Sequence, residues 1–257
     1  MIVLEPRTVV LHALSAGSLD PARTVAGTPL QPFASVLLPL AFNACLPLLA
    51  TVGVEEARAV IGEAEVRVGA PLRPGAELTV RAEHLGAWDL GAYALHRLRC
   101  AFSSASALAG EVTLDVFVHG AGGFGGAPPP RGPRRLLPKR APDAVFPVAV
   151  AANAALLYRL LGDANPLHYD PAVAAAWPSL TGGRPILHGL AGVGIIERVL
   201  TEALGPVTAL RARFARPIWP GDVLELAVWR EGEPLQLRLL RGEEDVWTAA
   251  SAELALG

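Results

Sequence analysis

The sequence predicts an α+β fold built twice, each half a long helix followed by an antiparallel meander. Three observations predict it. The chain repeats at an ungapped offset of 146 residues: "APLRPGAEL" (from Ala70) falls on "RPIWPGDVL" (from Arg216), so that Pro71 meets Pro217 and the pair Pro74-Gly75 meets Pro220-Gly221. The same offset puts Pro39 on Pro185, Leu11 on Leu157 and Leu14 on Leu160. Second, Leu190, Val193, Ile196, Val199, Leu200 and Ala203 recur at helical spacing, which makes residues 188–204 one amphipathic helix. Third, short β-rich segments separated by turn residues follow that helix, and one helix beside an antiparallel meander is a sheet wrapped around a helix.

The elements follow in order. In the first half, residues 8–11 are expected as a short strand, followed by a helical stretch and a central helix that Pro39 and Pro47 would kink or shorten. Strands are expected over 61–68, 77–84, 92–101 and 110–119. "GAGGFGGAPPPRGPRRLLPKRAP" (120–142) is punctuated by Gly and Pro throughout, which makes it a linker between an N-terminal unit, 1–119, and a C-terminal unit, 143–257. In the second half, a strand is expected over 146–150. Asp170-Pro171 reads as an N-cap with Pro at the first helical position, opening a short helix to Ala176. The long helix stops at Gly205-Pro206. Strands follow over 207–214, 223–230, 235–241 and 246–254, with "EGEP" and "RGEED" as hairpin turns.

Composition narrows the function. Of 257 residues, 52% are hydrophobic and 18% charged, enough for a sizeable core, with a net charge of −2. The one basic block, 131–140, lies in the Pro-rich linker, so no nucleic-acid footprint is present. Cys45 and Cys100 lack metal-ligand spacing and read as reduced core thiols of a cytoplasmic protein. The N-terminus lacks the pattern of a secretory leader. The apolar run 35–54 is interrupted by Pro39, Asn43 and Pro47, which argues against a membrane span.

"YRLLGDANPLHYDP" (from Tyr158) concentrates an acid, an amide and an imidazole in an otherwise apolar chain. Asp163 and His168 stand five apart, a spacing that puts them on different faces of a straight helix. Pro166 disfavours helix at Asn165, so the segment is expected as an irregular loop able to fold the carboxylate and imidazole toward one point. Cap and turn chemistry is the plainer reading of these residues. In "ILHGL", Gly189 opens the long helix, where backbone N–H groups have no intrahelical partner.

The three stretches "YRLLGDANPLHYDP", "RPILHGLAGVG" and "RFARPIWPGD", in this order, resemble the MaoC-like, type 2, (R)-specific enoyl-CoA hydratases and dehydratases, and "GAGGFGG" resembles the end of the first repeat in their larger members. The resemblance covers essentially the whole chain, most strongly residues 146–224. It implies the double hot dog fold, in which each repeat is a curved antiparallel sheet around a central helix. It further implies reversible hydration of trans-2-enoyl-CoA to (R)-3-hydroxyacyl-CoA, a hydro-lyase reaction of fatty acid metabolism.

By that resemblance Asp163 and His168 are the acid/base pair. Asn165 orients the water or the pair, and Gly189 supplies an oxyanion hole. Which of Asp163 and His168 removes the proton stays open. Ala164, Pro166, Leu167, His188 and Phe214 are the expected substrate-binding residues; His188 is ambiguous, capping or bracing the helix start, and stands behind Asp163 and His168 as a proton carrier. The chemistry needs no metal and no cofactor beyond the coenzyme A thioester itself, and the resemblance implies a homodimer. At the 146 offset Asp163 falls on Gly17, Asn165 on Leu19, His168 on Ala22 and Gly189 on Asn43, so one active site per chain is expected, in the second half. Competing readings are a dehydratase acting on 3-hydroxyacyl thioesters of acyl carrier protein, a thioesterase, and a non-catalytic acyl-CoA-binding subunit of a mixed complex.

Overall fold

The computed structural model describes residues 1–257 except 26, 28, 55–57, 105–106, 131–136 and 256–257. The first half contains β1 (Ile2–Val3), α1 (Pro6–Ser15), α2 (Pro21–Thr24), α3 (Leu37–Thr51), β2 (Ala59–Val68), β3 (Glu77–Asp89), β4 (Tyr93–Ser104) and β5 (Ala107–His119). The second half contains β6 (Ala144–Ala149), α4 (Ala154–Tyr158), α5 (Pro171–Ala176), α6 (Pro178–Thr181), α7 (Gly189–Leu204), β7 (Val207–Phe214), β8 (Val223–Trp229), β9 (Leu235–Arg241) and β10 (Glu244–Leu254).

The described strands form one sheet in the order β1-β3-β4-β5-β2-β7-β10-β9-β8-β6. Read outward from the central β2–β7 pair, the two halves have the same topology. The pair is antiparallel, with Ala64 opposite Ala212 and Val66 opposite Leu210. All four face inward and are fully buried. Their neighbours Glu63, Glu65, Arg211 and Arg213 point to the other face, the period-2 alternation of a sheet with one buried side, and Arg211 there pairs with Glu63.

The two central helices fill the concave side. In α7, Leu190, Val193, Ile196 and Leu200 are each at most 1% exposed, and burying a side chain of this kind contributes about 1.5–3 kcal/mol. Ala34–Thr51, a 3-10 turn running into α3, has a mean hydropathy of 1.7 and is long and apolar enough to cross a membrane by length and composition, but half of it is buried inside the fold. Its Leu37, Leu38, Ala41 and Cys45 join the same core as α7.

Two expectations are corrected. Residues 8–11 are helix, not strand: they lie inside α1, which begins at Pro6 in its first turn and buries Val9, His12 and Ala13 at helical spacing. The first-half strand is instead β1, which pairs with β3. Nor is the first-half helix shortened. It runs 15 residues through Pro47, against 16 in α7. Pro39 falls in its first turn, where the missing N–H has no intrahelical acceptor.

The start of α3 is bound from the other half. Glu197 of α7, 1% exposed, accepts hydrogen bonds from the backbone N–H of Ala34 (2.6 Å) and Ser35 (2.8 Å). Part of the Gly/Pro-rich segment is also anchored: Asp89, at the end of β3, accepts from the N–H groups of Gly91 (2.7 Å) and Gly123 (2.9 Å) and also from Gly125. Most of the basic block at 131–140 lies outside the described residues.

Candidate active site

The site begins where α4 and the 3-10 turn Arg159–Leu161 end. Gly162 terminates them with φ +115°, in the left-handed region. A side chain at Gly162 would collide with the Asn43 amide of α3. That amide donates to the Leu161 carbonyl at 2.9 Å, so the first half holds the entry to the loop.

Asp163 follows and is buried. Its Oδ1 accepts from the Asn165 N–H at 3.3 Å, and Asn165 Oδ1 accepts from the Leu167 N–H at 3.1 Å. Asn165 therefore caps the 3-10 turn Pro166–His168. Next, Asp170 caps α5, accepting from Ala172 and Val173, with Pro171 at the first position as the sequence indicates. Turn chemistry and site chemistry thus share one stretch: the caps set the backbone that aims Asp163 and His168.

His168 Nδ1 lies 3.0 Å from the Ile186 carbonyl. A carbonyl only accepts, so Nδ1 carries the proton and Nε2 the lone pair. Burial pushes the His168 pKa down to about 4, partly offset by this hydrogen bond. The imidazole is neutral at pH 7.

Gly189 opens α7. The first α-helical bond of this turn runs from the Gly192 N–H to the His188 carbonyl, so the N–H groups of Gly189, Leu190 and Ala191 precede the intrahelical ladder. A Cβ on Gly189 would lie 2.6 Å from the Phe214 ring. The 146 offset does not locate the matching helix start. It carries Gly189 to Asn43, in the middle of α3, whereas the first-half helix begins at Ala34–Leu37 with Glu197 on its leading N–H groups.

Asp163, Asn165, Leu167, His168, Gly189 and Phe214 line one cavity of about 280 Å³. Its other wall comes from the first half: Phe42, Cys45, Leu46 and Leu49 of α3, residues 59–62, Leu98, Leu114 and Val116. These wall residues carried no sequence signal beyond hydrophobicity. Three expected substrate contacts are not among the described lining residues: Ala164 and Pro166 are exposed, and His188 is buried behind the cavity wall. Tyr158, also missed from the sequence, is fully buried with its ring 4.9 Å from that of His188.

Donor atoms of Asp163, His168 and His188 lie within 4.8 Å of one another, a group able to supply metal ligands. The two imidazoles, however, stack at 3.7 Å with their planes 27° apart. Their in-plane lone pairs run side by side rather than converging on one point, and each ring commits a nitrogen to a backbone carbonyl. The arrangement suits proton chemistry better than a tetrahedral ion.

A twofold-repeated helix-in-sheet fold, with a carboxylate, an imidazole and a helix N-terminus on one cavity, defines a double hot dog protein. Residues 135–246 match the family described as "MaoC like domain". It is 35% identical over 178 residues to the 3-hydroxyacyl-thioester dehydratase Y of Mycobacterium tuberculosis, covering 66% of this chain and 61% of that protein. It is 34% identical over 195 residues to the enoyl-CoA hydratase ChsH3 of the same organism, covering 72% of this chain and 65% of that one. The matches thus span under two thirds of the length of these curated relatives. The solved structure of a MaoC-like dehydratase from Phytophthora capsici superposes with a TM-score of 0.84 at 24% identity, covering 98% of this chain and 92% of that one.

Proposed function

We propose that this protein catalyses the reversible hydration of trans-2-enoyl-CoA to (R)-3-hydroxyacyl-CoA. The observation that carries this reading is the single cavity onto which Asp163, His168 and the start of α7 all open. In the hydration direction the thioester oxygen sits at the N–H groups that open α7, which stabilise the enolate as charge develops. Water stands between Asp163 and His168. Its oxygen bonds to C3 as the C2=C3 π bond breaks, the base takes a proton from the water, and C2 receives one proton from the same pair. The balance is one water added, with no net proton and no electron transferred, so neither metal nor redox cofactor is required.

The protonation state favours His168 as the group that takes the water proton. It is neutral at rest, with its Nε2 lone pair free of the Ile186 bond. Asp163 then orients the water. Dehydration of a 3-hydroxyacyl thioester, on coenzyme A or on acyl carrier protein, is the same path reversed, as the name of one relative describes for that protein. The first half contributes wall rather than chemistry on this reading: Gly17, Leu19 and Ala22 stand where the offset places Asp163, Asn165 and His168. A cytoplasmic homodimer belongs to the same proposal. The test is loss of enone absorbance with a series of enoyl-CoAs, alongside a free-thiol assay. Hydration without thiol release in wild type, abolished in Asp163→Asn and His168→Ala with folding retained, supports the reading. Thiol release would make it a thioesterase, and acyl-CoA binding without turnover a binding subunit.

A further inference from the structure

His188 contacts both Asp163 and His168 and immediately precedes Gly189, without being among the residues that line the cavity. It is 1% exposed. Its ring stacks on that of His168 at a centroid separation of 3.7 Å. Its Nε2 lies 3.1 Å from the backbone carbonyl of Asp163 and 4.0 Å from the Asp163 carboxylate. It is also the N-cap residue of α7, immediately before Gly189. Behind it packs the ring of Tyr158.

Its protonation state follows from the partner. The Asp163 carbonyl can only accept, so Nε2 carries the proton, and a neutral ring leaves Nδ1 bare. Burial, then the neighbouring His168, keeps the ring neutral, far below the usual histidine range. A neutral ring with one directed N–H is not equipped to carry protons to substrate it does not touch. It is equipped to hold two neighbours at once, one by its face and one by its edge.

We propose that His188 is the positioning residue of the acid/base pair: its face holds His168 and its Nε2–H holds the Asp163 backbone, so that both groups meet the same point beside Gly189. This rests on the reading of Asp163 and His168 as the reacting pair. The two functions need a histidine. A phenylalanine supplies the stacking face but loses the hydrogen bond to the Asp163 carbonyl. A glutamine supplies the hydrogen bond but no face. Displacing a reacting group by about 1 Å costs roughly 100-fold in rate, so small losses of support at His188 become visible in turnover.

The experiment compares His188→Phe and His188→Gln with wild type, reading kcat and KM for an enoyl-CoA, the dissociation constant of a saturated acyl-CoA that cannot react, and the ¹⁵N signals of the His168 ring. In wild type those signals are expected to show a proton on Nδ1 and a bare Nε2. Both variants should lose about 100-fold in kcat, with KM and acyl-CoA binding within about threefold, and the His168 ring should lose its single tautomer in at least one of them. Wild-type kcat in either variant overturns the proposal. So does a loss of acyl-CoA binding that parallels the loss of kcat, because that would make His188 a binding residue. If one variant fails to fold, the other carries the test, since each retains one of the two contacts. If wild type hydrates no enoyl-CoA at all, the functional reading has failed, while the ¹⁵N signals still decide whether His188 holds His168.

Discussion

Glu65 stands opposite Arg211 in the strand pair that joins the two halves, and the two residues are 146 positions apart, the offset at which the halves of the sequence superpose. Each is therefore the other's counterpart in the repeat, and a pseudo-twofold axis passes between them. This explains why one continuous sheet results: the two repeats meet edge to edge through the same strand, β2 against β7, leaving no unpaired edge at the junction. It also explains why the cavity is shared. Lining residues come from β2 and from Phe214 at the end of β7, on either side of that axis.

On the proposed reading, the shared wall is expected to set an acyl-length ceiling. An apolar cavity of roughly 150 Å³ takes one benzene ring, so the cavity of about 280 Å³ accepts on the order of ten carbon atoms by the same scale. Cys45, 1% exposed, projects into it from α3. Cys45→Phe is expected to lower kcat/KM at least about tenfold for a ten-carbon enoyl-CoA, a cost near 1.4 kcal/mol, and to leave the four-carbon substrate nearly untouched. Equal losses at both lengths would show that the first half does not hold the acyl chain.

Gly189 is constrained from two sides. It lines the cavity, and its missing Cβ makes room for the Phe214 ring. Gly189→Ala should destabilise by about 1–3 kcal/mol through overpacking, a fall of about 2–4 °C in Tm per kcal/mol for a chain of this size. Adding Phe214→Leu should recover most of that Tm. Thermal melts of the single and double variants check this, and no recovery would place the strain elsewhere.

What was legible in the sequence was local or periodic. The 3.6-residue period of α7, the strands β7–β10 and the Asp170-Pro171 cap all form from signals within a dozen residues, and they stand within a few residues of expectation. Residues 8–11 misled because a short β-branched run (Thr8, Val9, Val10) has strand propensity, while burial against the core selects helix. The 146 offset held the better information: it lays residues 8–11 on residues 154–157, inside α4. Within the site, the residue types were visible, but their supports were not. Asn43 on Leu161, His188 on His168, and Glu197 at the start of α3 are contacts between residues 20 to 163 positions apart, which no local pattern encodes.

The depressed pKa of His168 makes a kinetic prediction. A base must be unprotonated, and burial keeps His168 so down to about pH 4. The acid limb of kcat/KM should therefore fall near pH 4 to 5 rather than near 6.5, as a property of the Asp163–His168 pair. A pH–rate profile decides the point. A limb centred at 6.5 would mean that His168 is solvated in the working enzyme.

Glu197 should be worth more than a surface carboxylate. Glu197→Ala leaves the Ala34 and Ser35 N–H groups buried with no acceptor, and hydrogen bonds to a charged group contribute about 1.5–3 kcal/mol each. A loss of about 3 kcal/mol or more is expected from the pair, read as a lower urea midpoint with an unchanged m value. A change below about 1 kcal/mol would show that water takes over both donors.

His12 carries the last prediction. Its ring is buried against Phe33, neither ring nitrogen has a hydrogen-bond partner among the described residues, and burial lowers its pKa to about 3. The unfolded chain protonates this histidine near its ordinary value of 6.5, while the folded chain does not until about pH 3. Between those limits the unfolded state binds more protons, so the contribution of His12 to stability is fully present above pH 6.5 and is lost as pH falls toward 3. His12→Leu removes one such group and fills a similar volume with carbon. Its Tm relative to wild type should therefore rise as the pH is lowered from 7.5 to 5. A Tm difference that stays constant across that range would show that His12 is protonated, or solvated, in the folded protein.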